Sequence, residues 1–356
     1  MVSLLDCIER VPLLMENIIE KRHENMASLF ALPDGHLDSL KEIVFVGSGT
    51  SNTAAVTSKF FVEKVSGIKT TVVYPTDFCH NTFFYDPCAL YVFTSQTGTS
   101  TVVRRGQKII LDKGYHAVSI TESPDTPIAR QSRAHIDMGC GKEEYLTRVI
   151  GYSTSVFTHM LMGLELGLHR GTITRNRYDD YIRTAEKVPD SYRAITPRAM
   201  QWMDKVKRQM LRSRCIVFTG AGALQGVALE AAVKIWEIPQ RISIGYELEE
   251  GLHGANYGYN YNHCVVVLNN GGIGSDKALG LARWMKDIYK NSLVIGSEVV
   301  DGSDFKIDLA GGDFDVLELA PVVQIIAYRL AHDEGRDLFA PHDNSVMESY
   351  FRTHDE

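Results

Sequence analysis

The sequence predicts an α/β protein in which one unit occurs twice in tandem. Each unit is expected to be a mostly parallel sheet between helices, in a flavodoxin-like arrangement. Two observations predict this fold class: an internal repeat, and short apolar segments that alternate with helical ones. Such an alternation is typical of parallel strands that are buried on both faces.

The repeat is visible when the chain is compared with itself. The segment IVFVGSGTSNTAAVTSKFF begins at Ile43, and IVFTGAGALQGVALEAAVK begins at Ile216, 173 residues later. Each reads as a strand, a G-x-G turn and a helix. The same offset places YVFTSQTGTST, from Tyr91, on CVVVLNNGGIG, and His80 on His253. Self-similarity at a fixed offset indicates a duplicated unit.

The two copies divide the chain into five predicted segments. These are a helical leader (1–40), the first copy (41–170), a helical linker (171–205), the second copy (206–335) and a C-terminal tail (336–356). Pro189 and Pro197 are expected to interrupt the helices of the linker, because proline lacks the backbone donor of a helix interior.

Composition excludes several classes of partner. The net charge of -7 argues against nucleic acid and acidic membranes, which both favour a basic face. No apolar run is long enough to span a bilayer, and the amino terminus does not resemble a signal peptide. The six cysteines are scattered without a CxxC pair, which favours free thiols over disulfides or zinc ligands. We therefore expect a cytoplasmic protein that uses no metal ion and no cofactor.

The loop TSQTGTST, residues 94–101, is the first candidate site. It follows a strand, precedes a helix and is rich in hydroxyl groups. Backbone donors at a helix amino terminus bind phosphate without needing lysine. The same residues also favour ordinary caps and turns, so the pattern alone leaves both interpretations open. The corresponding loop of the second copy, LNNGGIGS, lacks the hydroxyl cluster, so we expect phosphate binding in the first copy only.

The turn GSGTSNTAA, from Gly47, matches neither the dinucleotide-binding fingerprint nor a Walker P-loop. Thr50 and Ser51 are expected at the carboxyl edge of the first strand, where open α/β sheets bind ligands.

The helix GVALEAAVKIWEI carries charges on an otherwise apolar segment. Glu230, Lys234 and Glu237 lie on one helical face. A structural ion pair between Glu230 and Lys234 would leave Glu237 without a helical partner. A carboxylate on a buried helix can accept and return a proton. His253 follows in a glycine-containing loop and is either a surface residue or a catalytic one.

Taken together, these motifs resemble the sugar isomerase (SIS) domain family, in tandem copies. The resemblance rests on GSGTS, TSQTGTST, EEYLTRVIGYSTS, LEAAVKIWE and EEGLHGANY. Within the family, the chain is most similar to the isomerase half of glucosamine-6-phosphate synthases and to the fructosamine and glucoselysine 6-phosphate deglycases.

The resemblance implies a role for each candidate residue. Phosphate would be bound by Ser95, Gln96, Thr97 and Ser100, with Thr50 and Ser51 beside the sugar. Glu237 corresponds to the glutamate that moves a proton between C1 and C2, and Lys234 to a lysine of the same helix. His253 corresponds to the ring-opening histidine, which reaches its site from a neighbouring subunit and so implies a homodimer or a dimer of dimers.

Two departures from the synthases bear on the reaction. No amidotransferase domain is recognised, so we expect that the chain does not release ammonia from glutamine. Val346 stands where the synthase tail has a lysine, and LTRVI, residues 146–150, replaces a motif that ends in lysine. The deglycases share the sixteen-residue spacing of Glu237 and His253.

The leading hypothesis is therefore a deglycase that acts on a 6-phosphorylated sugar–amino acid adduct. An aldose–ketose isomerase and an ammonia-using glucosamine-6-phosphate deaminase would use the same proton shuttle and stay as alternatives. A non-catalytic phosphosugar-binding regulator is the alternative from another class, because fold alone does not fix function.

Overall fold

The computed structural model describes residues 2–33, 35–145, 147–339 and 345–355. Leu146 of the LTRVI segment and residues 340–344 of the predicted tail lie outside these ranges. The chain divides into two compact units. We call residues 13–183 with 341–356 the first-sheet unit, and residues 1–12 with 184–340 the second-sheet unit.

Five parallel strands form the first sheet: β1 (Glu42–Val46), β2 (Lys69–Val73), β3 (Ala89–Thr94), β4 (Ala117–Thr121) and β5 (Ala134–Asp137). Their order is β2-β1-β3-β4-β5, which is the flavodoxin-like order. Strands β3 and β4 are buried throughout, as expected where helices cover both faces, whereas the edge strand β2 is mostly half-buried.

Among the described residues, these helices lie before or between the strands of the first sheet, or follow the last of them: α1 (Leu4–Glu20), α2 (Arg22–Asn25), α3 (Ala27–Phe30), α4 (Thr50–Ser66), α5 (Pro75–His80), α6 (Thr101–Asp112), α7 (Pro127–Gln131), α8 (Ile150–His169) and α9 (Arg175–Ala185). Helix α8 is buried over residues 150–167, in keeping with its apolar character on every side. It packs on α4 at close range, because Gly163 and Gly167 have no side chains; a Cβ at Gly167 would lie 2.3 Å from the carbonyl oxygen of Val65.

The second sheet repeats this arrangement with β6 (Cys215–Gly220), β7 (Ser243–Glu247), β8 (His263–Asn269), β9 (Ser292–Gly296) and β10 (Phe305–Lys306). All its pairings are parallel, and the order β10-β9-β8-β6-β7 is that of the first sheet read from the other edge. The predicted fold class, two parallel sheets of flavodoxin-like order flanked by helices, is confirmed.

The remaining helices are α10 (Val188–Leu211), α11 (Leu224–Glu237), α12 (Leu248–Leu252), α13 (Ser275–Trp284), α14 (Val316–Asp333) and α15 (Ser345–Tyr350), with short 3₁₀ or π segments at Ala255–Gly258, Met285–Tyr289 and Gly312–Phe314. The expected interruption of the linker at Pro197 is wrong, because α10 continues through it. Burial of Tyr192, Ile195 and Ala199 on the same helix offsets the roughly 3 kcal/mol that an interior proline costs. Pro189 lies in the first turn, where its missing donor is tolerated.

The strand order determines where a ligand site is expected. The direction of chain progression reverses between β1 and β3, and again between β6 and β8. Ligands of open parallel sheets bind outside the carboxyl ends of the strands at such a reversal. The loops after β1 and β3 are the glycine turn and the hydroxyl-rich loop that the sequence analysis singled out.

All six cysteines are free thiols. Among the helices that the structure describes, none combines the length and apolar character needed to cross a membrane. Over the same residues, no group of three or more His, Cys, Asp or Glu side chains is arranged to hold a metal ion.

The carboxyl group of Asp315, in the second-sheet unit, is buried in surroundings that disfavour its ionised form. Burial, which is the main cause, raises the pKa of Asp315 to about 6, and the neighbouring Glu318 and Asp313 add to the rise. A hydrogen bond from Asn270 Nδ2 to Asp315 Oδ2, at 2.7 Å, opposes it. Because this pKa is higher in the folded state, the ionised carboxylate destabilises the fold, and the cost grows as the pH rises towards and through 6.

Replacing Asp315 by Asn should therefore stabilise the protein at neutral pH. We expect the free energy of unfolding at pH 7.5 to rise by about 3 kcal/mol, because the pKa is raised from 3.8 to about 6 and one pKa unit corresponds to about 1.4 kcal/mol. The gain should fall to about 1 kcal/mol or less at pH 4.5, where the wild-type carboxyl is mostly protonated in the fold. Urea unfolding at both pH values measures it, with the exposed Asp308→Asn as control. An equal gain at both pH values would contradict this account.

Candidate functional site

The hydroxyl-rich loop after β3 is fixed to the neighbouring strand by its backbone. The Ser95 N–H donates to the carbonyl oxygen of Ile120 at 3.1 Å, and the Glu122 N–H donates to that of Gln96 at 2.9 Å. Ser95 and Gln96 are buried. The first half of the loop is therefore a rigid continuation of the sheet edge.

Gly98 allows the tight turn at the middle of this loop. Its φ of +64° lies in the left-handed region that favours glycine. A Cβ here would lie 2.5 Å from Cβ of Thr126, so any larger residue would also collide. The turn brings the hydroxyl oxygens of Thr97 and Thr99 to within 2.8 Å of each other.

The loop ends at the amino terminus of the twelve-residue helix α6. Ser100 occupies the N-cap position, and its side chain makes no capping hydrogen bond. The first turn contains no acidic residue that would repel an anion. Backbone donors, the helix dipole and several hydroxyl groups therefore combine at one place, as in phosphate sites that lack lysine.

The glycine turn after β1 lies beside this loop. A Cβ at Gly47 would be 3.1 Å from the carbonyl oxygen of Thr94 and 2.9 Å from Cβ of Ser51. Thr50 and Ser51 begin helix α4 and are half-buried. The structure thus brings the six predicted binding residues together at the reversal point of the first sheet.

The side chain of Gln96 points to a carboxylate that the sequence analysis did not single out. Gln96 Nε2 donates to Oε2 of Glu143 at 3.2 Å, and Glu143 is buried. A signal for Glu143 exists in the sequence, because helix α8 starts after Val149, which cannot cap it. A buried helix without a capping residue needs an acceptor from elsewhere.

The end of the chain also contacts the loop, and the sequence analysis missed this contact. The Thr101 N–H donates to the carbonyl oxygen of Thr353 at 3.1 Å, and the Asp355 N–H donates to that of Thr99 at 2.9 Å. Arg104 forms an ion pair with Asp355. No local pattern in the sequence indicates that residues 99–101 pair with residues 353–355, about 250 residues later.

Helix α11 of the second-sheet unit carries the predicted charge cluster. Lys234 Nζ lies 3.3 Å from Oε1 of Glu230 and 2.5 Å from Oε2 of Glu237. The expectation that Glu237 lacks a helical partner is wrong, because the flexible lysine side chain reaches carboxylates both one turn before and one turn after it. The side chains of Glu230 and Lys234 have no exposed surface, whereas that of Glu237 is 37% exposed.

Charge, rather than burial, controls the ionisation of Lys234. Burial alone would lower the pKa of its ammonium group, but the carboxylates of Glu230 and Glu237 outweigh burial and raise it. Lys234 is therefore a cation at neutral pH. It supplies a fixed positive charge beside the accessible carboxylate of Glu237.

His253 lies on the same unit, directly after the short helix α12. Its side chain is 69% exposed, and its Nδ1 lies 2.9 Å from the carbonyl oxygen of Glu249. In the part of the chain that the structure describes, no hydrogen bond joins His253 to Glu237. The structure therefore presents His253 to solvent and does not pair the two predicted catalytic residues within one chain.

In the second copy of the loop, carboxylates bond directly to side chains of the loop and of the helix that follows it. The Ser275 hydroxyl donates to a carboxylate oxygen of Glu298 at 2.7 Å, and the side chain of Asn270 is bonded to Asp315. These carboxylates oppose the binding of an anion at this loop.

Comparison with known proteins shows what the chain is similar to. Residues 36–170 match the family model described as the SIS domain. Glutamine–fructose-6-phosphate aminotransferase [isomerizing] of Gloeobacter violaceus is 24% identical over 85% of this chain and 51% of its own length. The enzyme of the same name from Helicobacter pylori is 21% identical over 95% and 55%. The chain thus spans about half the length of these curated relatives.

Solved structures share the fold over almost the whole chain. A protein described as a phosphosugar isomerase, from Clostridium difficile, has a TM-score of 0.87 and 24% identity, covering 98% of both chains. The C-terminal domain of glucosamine-fructose-6-phosphate aminotransferase from Francisella tularensis has a TM-score of 0.83 and 19% identity, covering 96% of this chain and 98% of its own. The predicted resemblance to the SIS domain family is confirmed over residues 36–170, which match the family model.

Proposed function

We propose that this protein is a deglycase that cleaves a 6-phosphorylated sugar–amino acid adduct, of the fructosamine or glucoselysine type, into hexose 6-phosphate and a free amino acid. The observation that carries the proposal is the cluster on α11. A partly exposed carboxylate, Glu237, is held by the buried ammonium group of Lys234, which lies 2.5 Å away. A base that is accessible to a substrate and fixed in position is what proton transfer at carbon requires.

In the proposed reaction, Glu237 removes a proton from one of the carbons C1 and C2 and returns it to the other. The electron pair of the broken C–H bond forms the C1–C2 double bond of an enaminol. The carbonyl electrons displaced onto O2 take up a proton from water. When the proton returns to carbon, the nitrogen lone pair forms the C=N bond of an imine and the nitrogen loses its own proton to water. Water then adds to the imine carbon, and the C–N bond of this adduct breaks to release the amino acid. Lys234 stays charged throughout and keeps the Glu237 carboxylate in place.

The hydroxyl loop at 95–100 holds the substrate phosphate in this proposal. Ser95, Thr97 and Ser100 offer hydroxyl groups, and the α6 amino terminus offers its dipole. Binding energy from a phosphate that does not react can orient the carbons that do. Thr50 and Ser51 lie beside the loop and would contact the sugar hydroxyl groups.

We assign His253 to ring opening in the site of a partner subunit, within a homodimer. Its exposure and its position after a short surface helix support this assignment. Large apolar side chains on the same unit are also exposed, among them Trp236, Ile242 and Ile244. Such residues are more frequent where a surface is covered by another subunit.

An aldose–ketose isomerase is the second candidate, because the same base would serve it. The fold is similar to that of tagatose-6-phosphate ketose/aldose isomerase from Escherichia coli, with a TM-score of 0.73 and 18% identity over 96% of this chain and 95% of that one. Val346 stands at the position of the synthase tail lysine. Because the valine side chain has no amino group, it cannot form a Schiff base with the sugar there.

A substrate panel tests the proposed function. The protein would be incubated with several 6-phosphorylated Amadori compounds, and hexose 6-phosphate and amino acid would be measured. Release of both in equal amounts is expected. Interconversion of fructose 6-phosphate and an aldose 6-phosphate without adduct cleavage would establish the isomerase instead. Ammonia release from glucosamine 6-phosphate would establish the deaminase, and binding without turnover would establish the regulator.

The phosphate is expected at the first loop only. Ser100→Ala should weaken the binding of a sugar phosphate by about tenfold, since a hydrogen bond to a charged group contributes about 1.5 kcal/mol or more. Ser275→Ala, at the first residue of α13 directly after the second copy of the loop, should have no effect on this binding. Calorimetry with fructose 6-phosphate measures both variants. A crystal soaked in phosphate that shows the anion at residues 269–275 would overturn the assignment.

Glu237→Gln tests the base directly. The amide keeps the shape of the side chain but cannot take up the proton, so turnover should fall by roughly 10²-fold or more. Sugar-phosphate affinity should stay near that of the wild type. Exchange of the C1 or C2 proton with deuterated water, followed by NMR, should stop. Glu186→Gln, at an exposed position, is the control. Wild-type turnover by the Glu237 variant would mean that Glu237 is structural.

Subunit mixing tests the position of His253. Glu237→Gln and His253→Ala proteins, each nearly inactive, would be mixed and allowed to exchange subunits. Part of the activity should return, because a mixed dimer contains one site with both intact residues. Mass spectrometry of differently tagged chains verifies the exchange. If exchange is complete and activity stays absent, both residues act within one subunit.

A further inference from the structure

The geometry points to Glu143 as a positioning residue that sets the shape of the phosphate-binding loop through Gln96. This inference rests on the proposed phosphate site but not on the chemistry at C1 and C2. Glu143 lies between the loop after β3 and the start of helix α8. Groups from the loop and from the helix both donate hydrogen bonds to its carboxylate.

Four donors surround the Glu143 carboxylate. Oε1 accepts from the backbone N–H groups of Val149 and Ile150, at 2.7 and 2.9 Å. Oε2 accepts from the Gly151 N–H at 3.1 Å and from Gln96 Nε2 at 3.2 Å. The residue is only 4% exposed. A buried carboxylate with this many donors is held firmly, and it holds its donors in turn.

This arrangement assigns the Gln96 side chain a role different from direct phosphate binding. Its amide group donates to Glu143. It also lies near the carboxyl group of Glu122, whose pKa is raised by burial, and Arg148 and Gln96 oppose that rise. Its backbone carbonyl oxygen accepts from Glu122. Gln96 is thus fixed at both ends, and phosphate is left to the loop's hydroxyl and N–H groups.

Glu143 also decides which helix amino terminus is open to an anion. Helices α6 and α8 both begin beside the loop, and a helix amino terminus attracts negative charge. The Glu143 carboxylate already occupies the α8 terminus. Phosphate is therefore directed away from α8 and towards α6, where the Ser100 side chain makes no capping hydrogen bond, although the Thr101 N–H already donates to Thr353.

A substitution at Gly151 can disturb the contact between Gln96 and Glu143 sterically. A Cβ at Gly151 would lie 2.0 Å from Gln96 Oε1, so alanine here must displace the Gln96 side chain. No positive φ is recorded for Gly151, so alanine adds no backbone strain of that kind. The substitution thus perturbs the contact between Gln96 and Glu143 without changing a residue that is proposed to bind phosphate.

The experiment is a double-mutant cycle with Gly151→Ala and Gln96→Ala, read by the binding of inorganic phosphate and of fructose 6-phosphate. Gly151→Ala alone should weaken both by about tenfold, and it should raise KM with kcat within about twofold. In the Gln96→Ala background it should cause no further loss, because the displaced group is gone. Gly280→Ala, at a helical glycine with open space around it, is the control.

Folding is checked separately, because a buried substitution can destabilise α8. Circular dichroism and thermal unfolding identify variants that are not folded at the assay temperature, and Glu143→Gln then replaces Gly151→Ala. It removes the negative charge and should weaken phosphate binding by a similar factor.

The outcomes separate this inference from the proposed function. If the protein binds phosphate at residues 95–100 but cleaves no adduct, the deglycase proposal fails and the cycle still tests Glu143. Wild-type phosphate affinity in folded Gly151→Ala and Glu143→Gln proteins would overturn the inference. So would an equal effect of Gly151→Ala with and without Gln96, or a phosphate bound at the α8 terminus.

Discussion

A parallel sheet ends every one of its strands at the same edge, and this constraint determines where chemistry can occur in the protein. In the first-sheet unit the order β2-β1-β3-β4-β5 places the loops after β1 and β3 next to each other. The close approach of Gly47 to the carbonyl oxygen of Thr94 is the local result. Hydroxyl groups that are about 45 residues apart in the sequence therefore share one small region without any direct bond between them.

Buried charge is the second organising element, and each unit uses it differently. In the second-sheet unit, a fully buried ammonium group is compensated by two carboxylates on its own helix. In the first-sheet unit, a buried carboxylate is compensated by backbone donors of a helix that has no cap of its own. In both cases removal of one partner would strand a charge in a dry environment, which is far more costly than exchanging the pair for apolar groups.

The fold class could be predicted because apolar strands, glycine turns and helices recur in one register through the chain. The candidate loops could be predicted because ligands of open parallel sheets bind at the carboxyl ends of the strands. Other features depend on three-dimensional distance and left no local pattern. The partner of Glu237 was missed because a lysine can reach both neighbouring turns. The pairing of Thr99–Thr101 with the tail joins segments that are distant in sequence, and α10 continues through Pro197 because tertiary packing outweighs local propensity.

A hydrogen bond between an amide side chain and a carboxylate occurs beside the corresponding loop in both units. Gln96 is bonded to Glu143 beside α8, and Asn270 is bonded to Asp315 beside α14, although only the first loop has the cluster of hydroxyl groups. The two contacts do not lie at equivalent positions, because at the offset of 173 residues Gln96 falls on Asn269 and Glu143 falls on Val316. If both copies descend from one gene segment, the same kind of support for a loop is therefore built from different positions in each copy, and a reconstructed ancestral unit need not contain either contact.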